Sequence, residues 1–319
     1  MSLFLSTCRL VFFLVRQYFF LRKHFLKKWY DIHQQPSSGF TKKQYQRLFY
    51  YALQLPVMLG DSYSLLRGKR LTYDERYRMT LLCAFTPLLD DWFDKEKLEV
   101  SIITERIFYP GQFAPQHARD ILAKDLLTAL HQFTPKELKW QLIAEKLLMA
   151  QDLRRLYSKE IKASTEMMGG YSVLLARMML QPVPEQPEKE AILHLGFGVQ
   201  LLDDIFDVYE DSREQLHTMP VNCGKIETLK KEYMDLMATI KSDFENLGFD
   251  RWQTSRFLAF WWSFFARALV SLEQLEQVEK KYGTDFTPLL YDRKELICDM
   301  ETFHGVYKFI RFYFKFKFF

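Results

Sequence analysis

Apolar residues recur at helical spacing along most of this chain, and short polar breaks divide the pattern into segments. The first segment predicts a helix from near Leu3 to Tyr30, followed by the polar break "HQQPSSGF" and a helix from about Thr41 to Leu66. The connection "RGKR" at 67–70 and the capping box from Thr72 to Glu75 predict the start of the next helix. That helix ends in the acidic sequence "LLDDWFD".

The middle of the chain predicts one loop and two helices. Residues 97–115 contain "FYPGQFAP" and predict a loop, after which "ARDILAKDLLTALHQF" predicts a helix. The residues from Thr134 to Glu137 combine a capping box with a proline at the first helical position, so they predict the start of a further helix that extends beyond Arg155.

Glycine and proline mark the boundaries in the second half. The pair Gly169-Gly170 interrupts the pattern, either as a kink or as a packing contact. After the break "QPVPEQP", Pro187 predicts the start of the helix that carries a second acidic sequence, "LLDDIFDVYED". Further helices are predicted at about 225–246 and 250–283.

The composition supports an all-α fold. The 319 residues include only 12 glycines and 11 prolines, and 48% are hydrophobic, which is enough for a large core. No repeat and no linker requires a second domain. We therefore predict a basic amphipathic helix with its connection over 1–40, and one helical domain over 41–319.

The cysteines indicate a reducing compartment. The four cysteines lie far apart without CxxC spacing, so they predict neither a zinc site nor a disulfide framework: Cys8, Cys83, Cys223 and Cys298. We expect a cytoplasmic protein.

Both ends of the chain are basic and aromatic. Six cations precede the first acid at Asp31, and four more lie between Lys308 and Lys317. Arg9 and Arg16 interrupt the N-terminal apolar stretch, which predicts neither a signal peptide nor a membrane span. Two interpretations stay open: a terminal helix packed on the domain, or peripheral contact with an anionic membrane.

Two acidic sequences of the form Asp-Asp-x-x-Asp carry the candidate chemistry. They contribute six candidate metal ligands: Asp90, Asp91, Asp94, Asp203, Asp207 and Asp211. Each sequence follows an apolar stretch near the C-terminal end of its helix, where the helix dipole disfavours negative charge. Clustered aspartates without histidine or cysteine suit Mg²⁺, which takes one or two carboxylates and fills its other positions with water and phosphate oxygens. Surface acid clusters are the simpler alternative.

With these two motifs the chain resembles the class I isoprenoid synthases, a family that includes terpene synthases and trans-prenyltransferases. The resemblance covers roughly residues 42–300. It implies an antiparallel bundle of helices around a central apolar cavity, with a prenyl diphosphate held through three Mg²⁺ ions. Asp90 and Asp94 match the first motif of the family, and Asp91 matches its outer member.

The second motif resembles two branches of the family. The sequence "GFGVQLLDDIFD" is similar to the Gly-x-x-x-Gln-x-x-Asp-Asp-x-x-Asp of prenyltransferases, whereas Asp203, Asp207 and Asp211 repeat the spacing of the terpene cyclase triad. The second motif also resembles that of the bacterial class IB, or large, terpene synthases. In "LLDDIFDVYED", Asp204 and Glu210 are then interpreted as supporting or solvent-facing residues.

The resemblance implies an Mg²⁺-dependent terpene synthase, a carbon–oxygen lyase that ionises a linear prenyl diphosphate and then eliminates or cyclises the carbocation. The alternative is a prenyltransferase that joins isopentenyl diphosphate to an allylic diphosphate. Against elongation, "KEKLE" follows Asp94 where prenyltransferases carry an arginine pair, and "RGKR" lies only about twenty residues upstream of the first motif.

Further residues are candidates for the same chemistry. Basic groups could assist departure of the diphosphate: Arg154, Arg155, Lys162 and Arg213. Aromatic and polar residues could line the substrate cavity and shield the cation: Phe85, Phe197, Gln200, Trp261, Phe265, Arg311 and Tyr313. Each of the aromatic residues is also compatible with ordinary core packing.

A non-catalytic helical protein that uses its basic ends on membranes is the alternative of a different class. For partners, we expect a prenyl diphosphate and no nucleic acid. The sequence does not decide between a monomer and a homodimer.

Overall fold

The chain is all-α, as predicted. In the computed structural model, residues 3–34, 40–156, 160–283, 285–297 and 303–315 are described, and they contain helices and turns but no strand. The chain divides into two compact units. We call Ser2–Leu148 with Leu175–Pro184 the amino unit, and Met149–Leu174 with Glu185–Phe319 the carboxyl unit.

The amino unit is built on helices α1 to α7, namely Leu3–His24, Leu26–His33, Lys42–Leu55, Ser62–Leu66, Tyr73–Asp94, Val100–Phe108 and Ala118–Phe133. A π-helical turn, Pro56–Asp61, joins α3 to α4. Helix α5 packs against both α3 and α7, and the first helix packs on α3 and the π-helical turn. Thr72 and Glu75 form the predicted capping box of α5.

Helix α8, Trp140–Leu156, and helix α9, Ile161–Arg177, follow in the chain. The carboxyl unit continues with helices α10 to α15: Gln186–Phe206, Val208–Arg213, Ile226–Glu245, Arg251–Tyr282, Arg293–Leu296 and Phe303–Lys315. Helices α10, α12 and α13 pack against one another, and α15 packs on α13. The predicted boundary of α13 is confirmed, because the Asp250 side chain caps its first amides and Gly283 adopts φ 66° after its last residue.

Several local predictions were wrong. The predicted loop at 97–115 contains helix α6. The predicted first helix is broken at Phe25, where φ is −130°. The residues at Thr134 do not begin α8: a 3-10 turn, Lys136–Leu138, is followed by Lys139 at φ 47°, and α8 begins only at Trp140. Helix α8 is described as far as Leu156, and its predicted extension beyond Arg155 leads into residues 157–159, which lie outside the described part, so that extension stays a prediction.

A buried polar network attaches α1 to the amino unit. Asp61, which is fully buried, accepts hydrogen bonds from Arg16 of α1 and, at 2.7 Å, from Arg76 of α5. Arg76 also donates to Gln17 Oε1 at 2.7 Å, and Gln17 donates to the Ala52 carbonyl at 2.9 Å. The inner face of α1 is therefore held by charge-assisted hydrogen bonds as well as by apolar packing.

The predicted connection "RGKR" is confirmed between α4 and α5, and its first arginine is structural. Arg67 is an ion-pair partner of Glu75 at 2.6 Å, with both side chains only 4% exposed. Burial alone raises the pKa of Glu75, but hydrogen bonds from Arg67 and from the amides of Gln181 and Thr72, with the charge of Arg67, lower it to about 2. Arg67 is thus committed to the interior of the amino unit.

Candidate functional site

The first aspartate motif ends helix α5. The turns before it are buried as predicted, including Phe85, Leu88 and Leu89. Asp90 is partly exposed, Asp91 is buried at 2% exposure, and Asp94, the last helical residue, is exposed. The three carboxylates of this motif therefore differ in their access to solvent.

Helix α3 holds the second aspartate of this motif in place. Arg47 donates to Asp91 Oδ1 at 2.8 Å and to Asp90 Oδ2 at 2.7 Å. Gln44, one turn earlier, donates to Asp91 Oδ2 at 3.2 Å, and Lys95 donates to Asp91 Oδ1 at 2.6 Å. Asp91 is consequently surrounded by donors that neutralise its charge near the C-terminus of α5.

Arg47 was not among the residues singled out from the sequence. Burial lowers its pKa, but the charge of Asp90, with further contributions from Tyr51 and Asp91, outweighs burial and holds that pKa above its ordinary value. Arg47 is therefore a permanent cation beside the first motif. The sequence signal nearest to Arg47 is the capping box of Thr41 and Gln44, which fixes the start of α3 and so the position of Arg47 along that helix.

The second aspartate motif spans the junction between α10 and α11. Asp203 lies in the last turn of α10, and Asp207 joins the two helices with φ −94° and ψ 11°. The amide of Asp207 donates to the Asp203 carbonyl at 3.0 Å, and the amide of Asp211 donates to the Asp207 carbonyl at 2.8 Å. Asp203 and Asp207 are exposed, whereas Asp211 is buried.

Asp204 is buried at 2% exposure, and Gln200 donates to its Oδ1 at 2.8 Å. Asp204 is therefore not solvent-facing, whereas Glu210 is exposed as expected. Gln200, which was predicted to contact substrate, hydrogen-bonds the second aspartate of its motif. The two motifs share one pattern: the second aspartate is buried and hydrogen-bonded, and the first and last keep access to solvent.

A glycine contact positions the helix that carries the second motif. Gly169 and Gly170 of α9 lie against Gly196 of α10, and α9 continues through the pair without interruption. A Cβ placed on Gly196 would lie 2.2 Å from the Gly169 carbonyl oxygen. The pair is therefore a packing contact and not a kink, and it allows the two backbones to touch about two turns before Asp203.

We expect Gly196→Ala to lower the free energy of unfolding by about 3 kcal/mol, because backbone atoms cannot yield to the new methyl group as side chains can. Gly198→Ala on the same helix is the matched control. Its Cβ would meet side-chain atoms and no backbone among its nearest neighbours: the ends of Ile240 and Met237, at 3.0 and 3.1 Å, and the ring of Phe265 at 3.4 Å. Both changes gain similar helix propensity, so a difference between their urea denaturation midpoints would report the backbone contact. Equal midpoints would contradict the expected clash between the Gly196 Cβ and the Gly169 carbonyl.

The predicted aromatic residues are all buried. Trp261 and Phe265 stack on α13 with ring centroids 5.8 Å apart, and both are fully buried. Phe197 lies on α10, and Phe85 lies on α5, where it makes an edge contact with Trp92. Their burial agrees with core packing and does not by itself assign a substrate wall.

The predicted basic residues whose side chains the structure describes lie on the surface. Lys162 and Arg213 are exposed, and Arg213 donates to the Tyr209 hydroxyl at 3.0 Å. The side chains of Arg154 and Arg155 lie outside the described residues. On α15, Arg311 is exposed, whereas Tyr313 is buried and its carbonyl accepts a hydrogen bond from Trp262 Nε1 at 3.1 Å.

The carboxylates suit Mg²⁺ by their chemistry. Over the described ranges, no three His, Cys, Asp or Glu side chains are grouped as a metal centre. Mg²⁺ does not require such a group, because it commonly takes one or two carboxylates and completes its octahedron with water and phosphate. Asp90, Asp94, Asp203 and Asp207 have solvent access that fits this use, whereas the donors around Asp91 already occupy its oxygens.

Comparison with protein-family models gave no match to this sequence, and comparison with curated proteins gave none either.

Proposed function

We propose that this protein is a class I terpene synthase that ionises a linear prenyl diphosphate. The observation that carries the proposal is the shared pattern of the two motifs, in which Asp91 and Asp204 are buried and hydrogen-bonded. In each motif the first and last aspartates keep solvent access at the end of an apolar helix. An acidic cluster that is merely solvated needs no buried second aspartate. A pair of metal-ligating aspartates benefits from a buried aspartate between them, because its hydrogen bonds fix the backbone that carries both ligands.

The residues divide into ligands and supports. Asp90, Asp94, Asp203 and Asp207, which keep solvent access, are proposed Mg²⁺ ligands. Asp211 is buried, and it is proposed as a ligand because it completes the spacing of the terpene cyclase triad. Bound Mg²⁺ would neutralise the charge that develops on the leaving diphosphate. Arg47 holds Asp90 and supplies a fixed cation next to the motif. Arg213 and Lys162, which are exposed, are available to a diphosphate from solvent.

The proposed fold type is the antiparallel isoprenoid-synthase bundle with an apolar cavity. The buried aromatic residues of α13 are the proposed source of cavity wall, since aromatic faces stabilise a cation that is shielded from water. Deprotonation of the carbocation by the released diphosphate requires no dedicated base in the protein.

Chain elongation is the second candidate, and one observation favours it. The hydrogen bond from Gln200 to Asp204 uses the glutamine and the second aspartate of the prenyltransferase pattern. Against it, "KEKLE" follows Asp94 where prenyltransferases carry an arginine pair. In "RGKR", Arg67 is committed to Glu75 and to the Gln181 carbonyl, whereas Lys69 and Arg70 are exposed. We therefore prefer the terpene synthase.

The substrate requirement separates the two candidates. Purified protein with Mg²⁺ should release diphosphate and form a hydrocarbon or terpene alcohol from geranyl, farnesyl or geranylgeranyl diphosphate alone, as detected by mass spectrometry. A longer prenyl diphosphate that forms only when isopentenyl diphosphate is added would establish elongation and refute the lyase. No turnover of any of these substrates would refute both.

A further inference from the structure

The outer face of α1 is an exposed apolar strip. Val11, Phe12, Val15 and Phe19 are between 48% and 58% exposed, and Tyr18 beside them is 40% exposed. Their spacing of three and four residues places them along one side of the helix. Surface residues of this size are ordinary when scattered, but a continuous strip of them indicates a binding surface.

The strip is held outward by the packing of the opposite face. Gln17 and Leu21 are fully buried, and Arg16 is bound to Asp61. Helix α1 therefore cannot rotate to bury the strip without breaking the polar network described above. The apolar face is a fixed feature of the amino unit.

Basic side chains follow the apolar strip on the same side of α1. Lys23 follows Phe19 by four residues, and Arg22 lies beside it, both exposed. At this end a shallow open cleft of about 350 Å³ spans the junction of α1 and α2, and its lining contains Lys23, Lys27 and Lys28 with Asp31 as its acid. Lys28 is paired with Asp125 at 3.0 Å, whereas Lys23 and Lys27 project from the exposed surface.

The strip and the cleft are together complementary to an anionic phospholipid. The strip matches the apolar acyl chains, and the cations of the cleft match the anionic headgroup. The basic residues would contact the anionic headgroups. From Thr7 to Tyr30 there is no acidic side chain to repel an anionic surface. Over the helices that the structure describes, none is long and apolar enough to cross a membrane. The exposed apolar strip, with cations and no acidic side chain along the same helix, favours a bilayer surface, on which the helix would lie parallel to the membrane plane.

We propose that the outer face of α1 binds the surface of anionic phospholipid membranes, with Val11, Phe12, Val15 and Phe19 inserted between the lipids and Lys23 and Lys27 on lipid phosphates. Such a surface would place the protein where long prenyl substrates and apolar products partition. The binding itself does not depend on the proposed enzymatic activity.

Sedimentation of the full-length protein with lipid vesicles tests this surface. We expect binding to vesicles of phosphatidylcholine with 30% phosphatidylserine, little binding to pure phosphatidylcholine, and a clear loss at high salt. The double variant Phe12→Ser with Phe19→Ser and the double variant Lys23→Glu with Lys27→Glu should each weaken binding by about tenfold or more. All four side chains are exposed, so circular dichroism should show unchanged melting.

Matched controls come from exposed residues elsewhere. Trp252→Ser with Leu290→Ser removes comparable exposed apolar area, and Lys231→Glu with Lys294→Glu makes the same change in charge. These controls should bind like the unmodified protein. Equal binding to neutral and anionic vesicles, or an equal loss in the controls, would overturn the proposal. So would a concentration-dependent dimer that Phe12→Ser with Phe19→Ser abolishes, because the strip would then be covered by a second copy of the chain.

Discussion

Replacing Asp203 by Asn, or Asp207 by Asn, is expected to lower Mg²⁺-dependent release of diphosphate by about 100- to 1,000-fold, the scale for losing one group that stabilises transition-state charge. Both carboxylates are exposed at the end of α10, and the amide keeps the shape of the side chain. The change therefore removes a proposed metal-binding charge with little effect on packing. Diphosphate release at several Mg²⁺ concentrations measures it, and saturation should shift to higher Mg²⁺.

Glu210→Gln is the matched control for both variants. Glu210 lies in the same acidic sequence and is exposed, but it is not one of the proposed ligands. We expect its activity to stay within about twofold of the unmodified protein, since its exposed pair with Arg293, at 4.0 Å, contributes little. Equal losses in Glu210→Gln and Asp203→Asn would indicate a general effect of negative charge. Undiminished activity in both aspartate variants would exclude the proposed site.

Replacing Asp61 by Ala should lower the free energy of unfolding by about 3–5 kcal/mol, the cost of leaving a buried charge without its partner. Asp61 is fully buried and receives hydrogen bonds from Arg16 and Arg76, and Arg76 is itself only 5% exposed. Burial raises the pKa of Asp61, and the two arginines oppose that rise. The expected loss comes mainly from Arg76, which cannot leave the interior without unpacking α5, whereas the side chain of Arg16 is 25% exposed.

Asp125→Ala provides the contrast with an exposed ion pair. Asp125 pairs with Lys28 at 3.0 Å, but the two side chains are 40% and 63% exposed. Solvent screens this pair, so its loss should cost less than about 1 kcal/mol. Urea denaturation of both variants measures the difference. A cost for Asp61→Ala no greater than that for Asp125→Ala would show that the network contributes little to stability.

Local signals predicted many of the helix boundaries. The capping box at Thr72 and the glycine at 283 mark real helix ends, because the groups that satisfy terminal amides and carbonyls lie within a few residues. The apolar residues before Asp90 and Asp203 correctly predicted buried turns. Helical periodicity and capping operate over short distances, and a single sequence contains them fully.

Tertiary packing overrode these signals in two places. The helix break at Phe25 has no local cause in the sequence, and it lets Phe25 stack on Tyr77 with ring centroids 5.0 Å apart. The capping residues at Thr134 begin only a 3-10 turn, because Lys139 adopts a left-handed conformation before α8 begins. Large apolar side chains are buried at both places, Phe25 at the first and Leu138 and Trp140 at the second, and their burial gains more than the local preference of about 1 kcal/mol.

The sequence by itself determined that the chain is helical and that two aspartate motifs end apolar helices. Only the tertiary structure decided which carboxylate of the first motif is buried, because Arg47 lies 44 residues from Asp91 and reaches it only when α3 packs on α5. The support of Asp204 by Gln200 is a contact within one helix turn, and its spacing was readable from the sequence. Helical period is a local property of the backbone, whereas the charge balance around a buried carboxylate depends on every helix that packs against it.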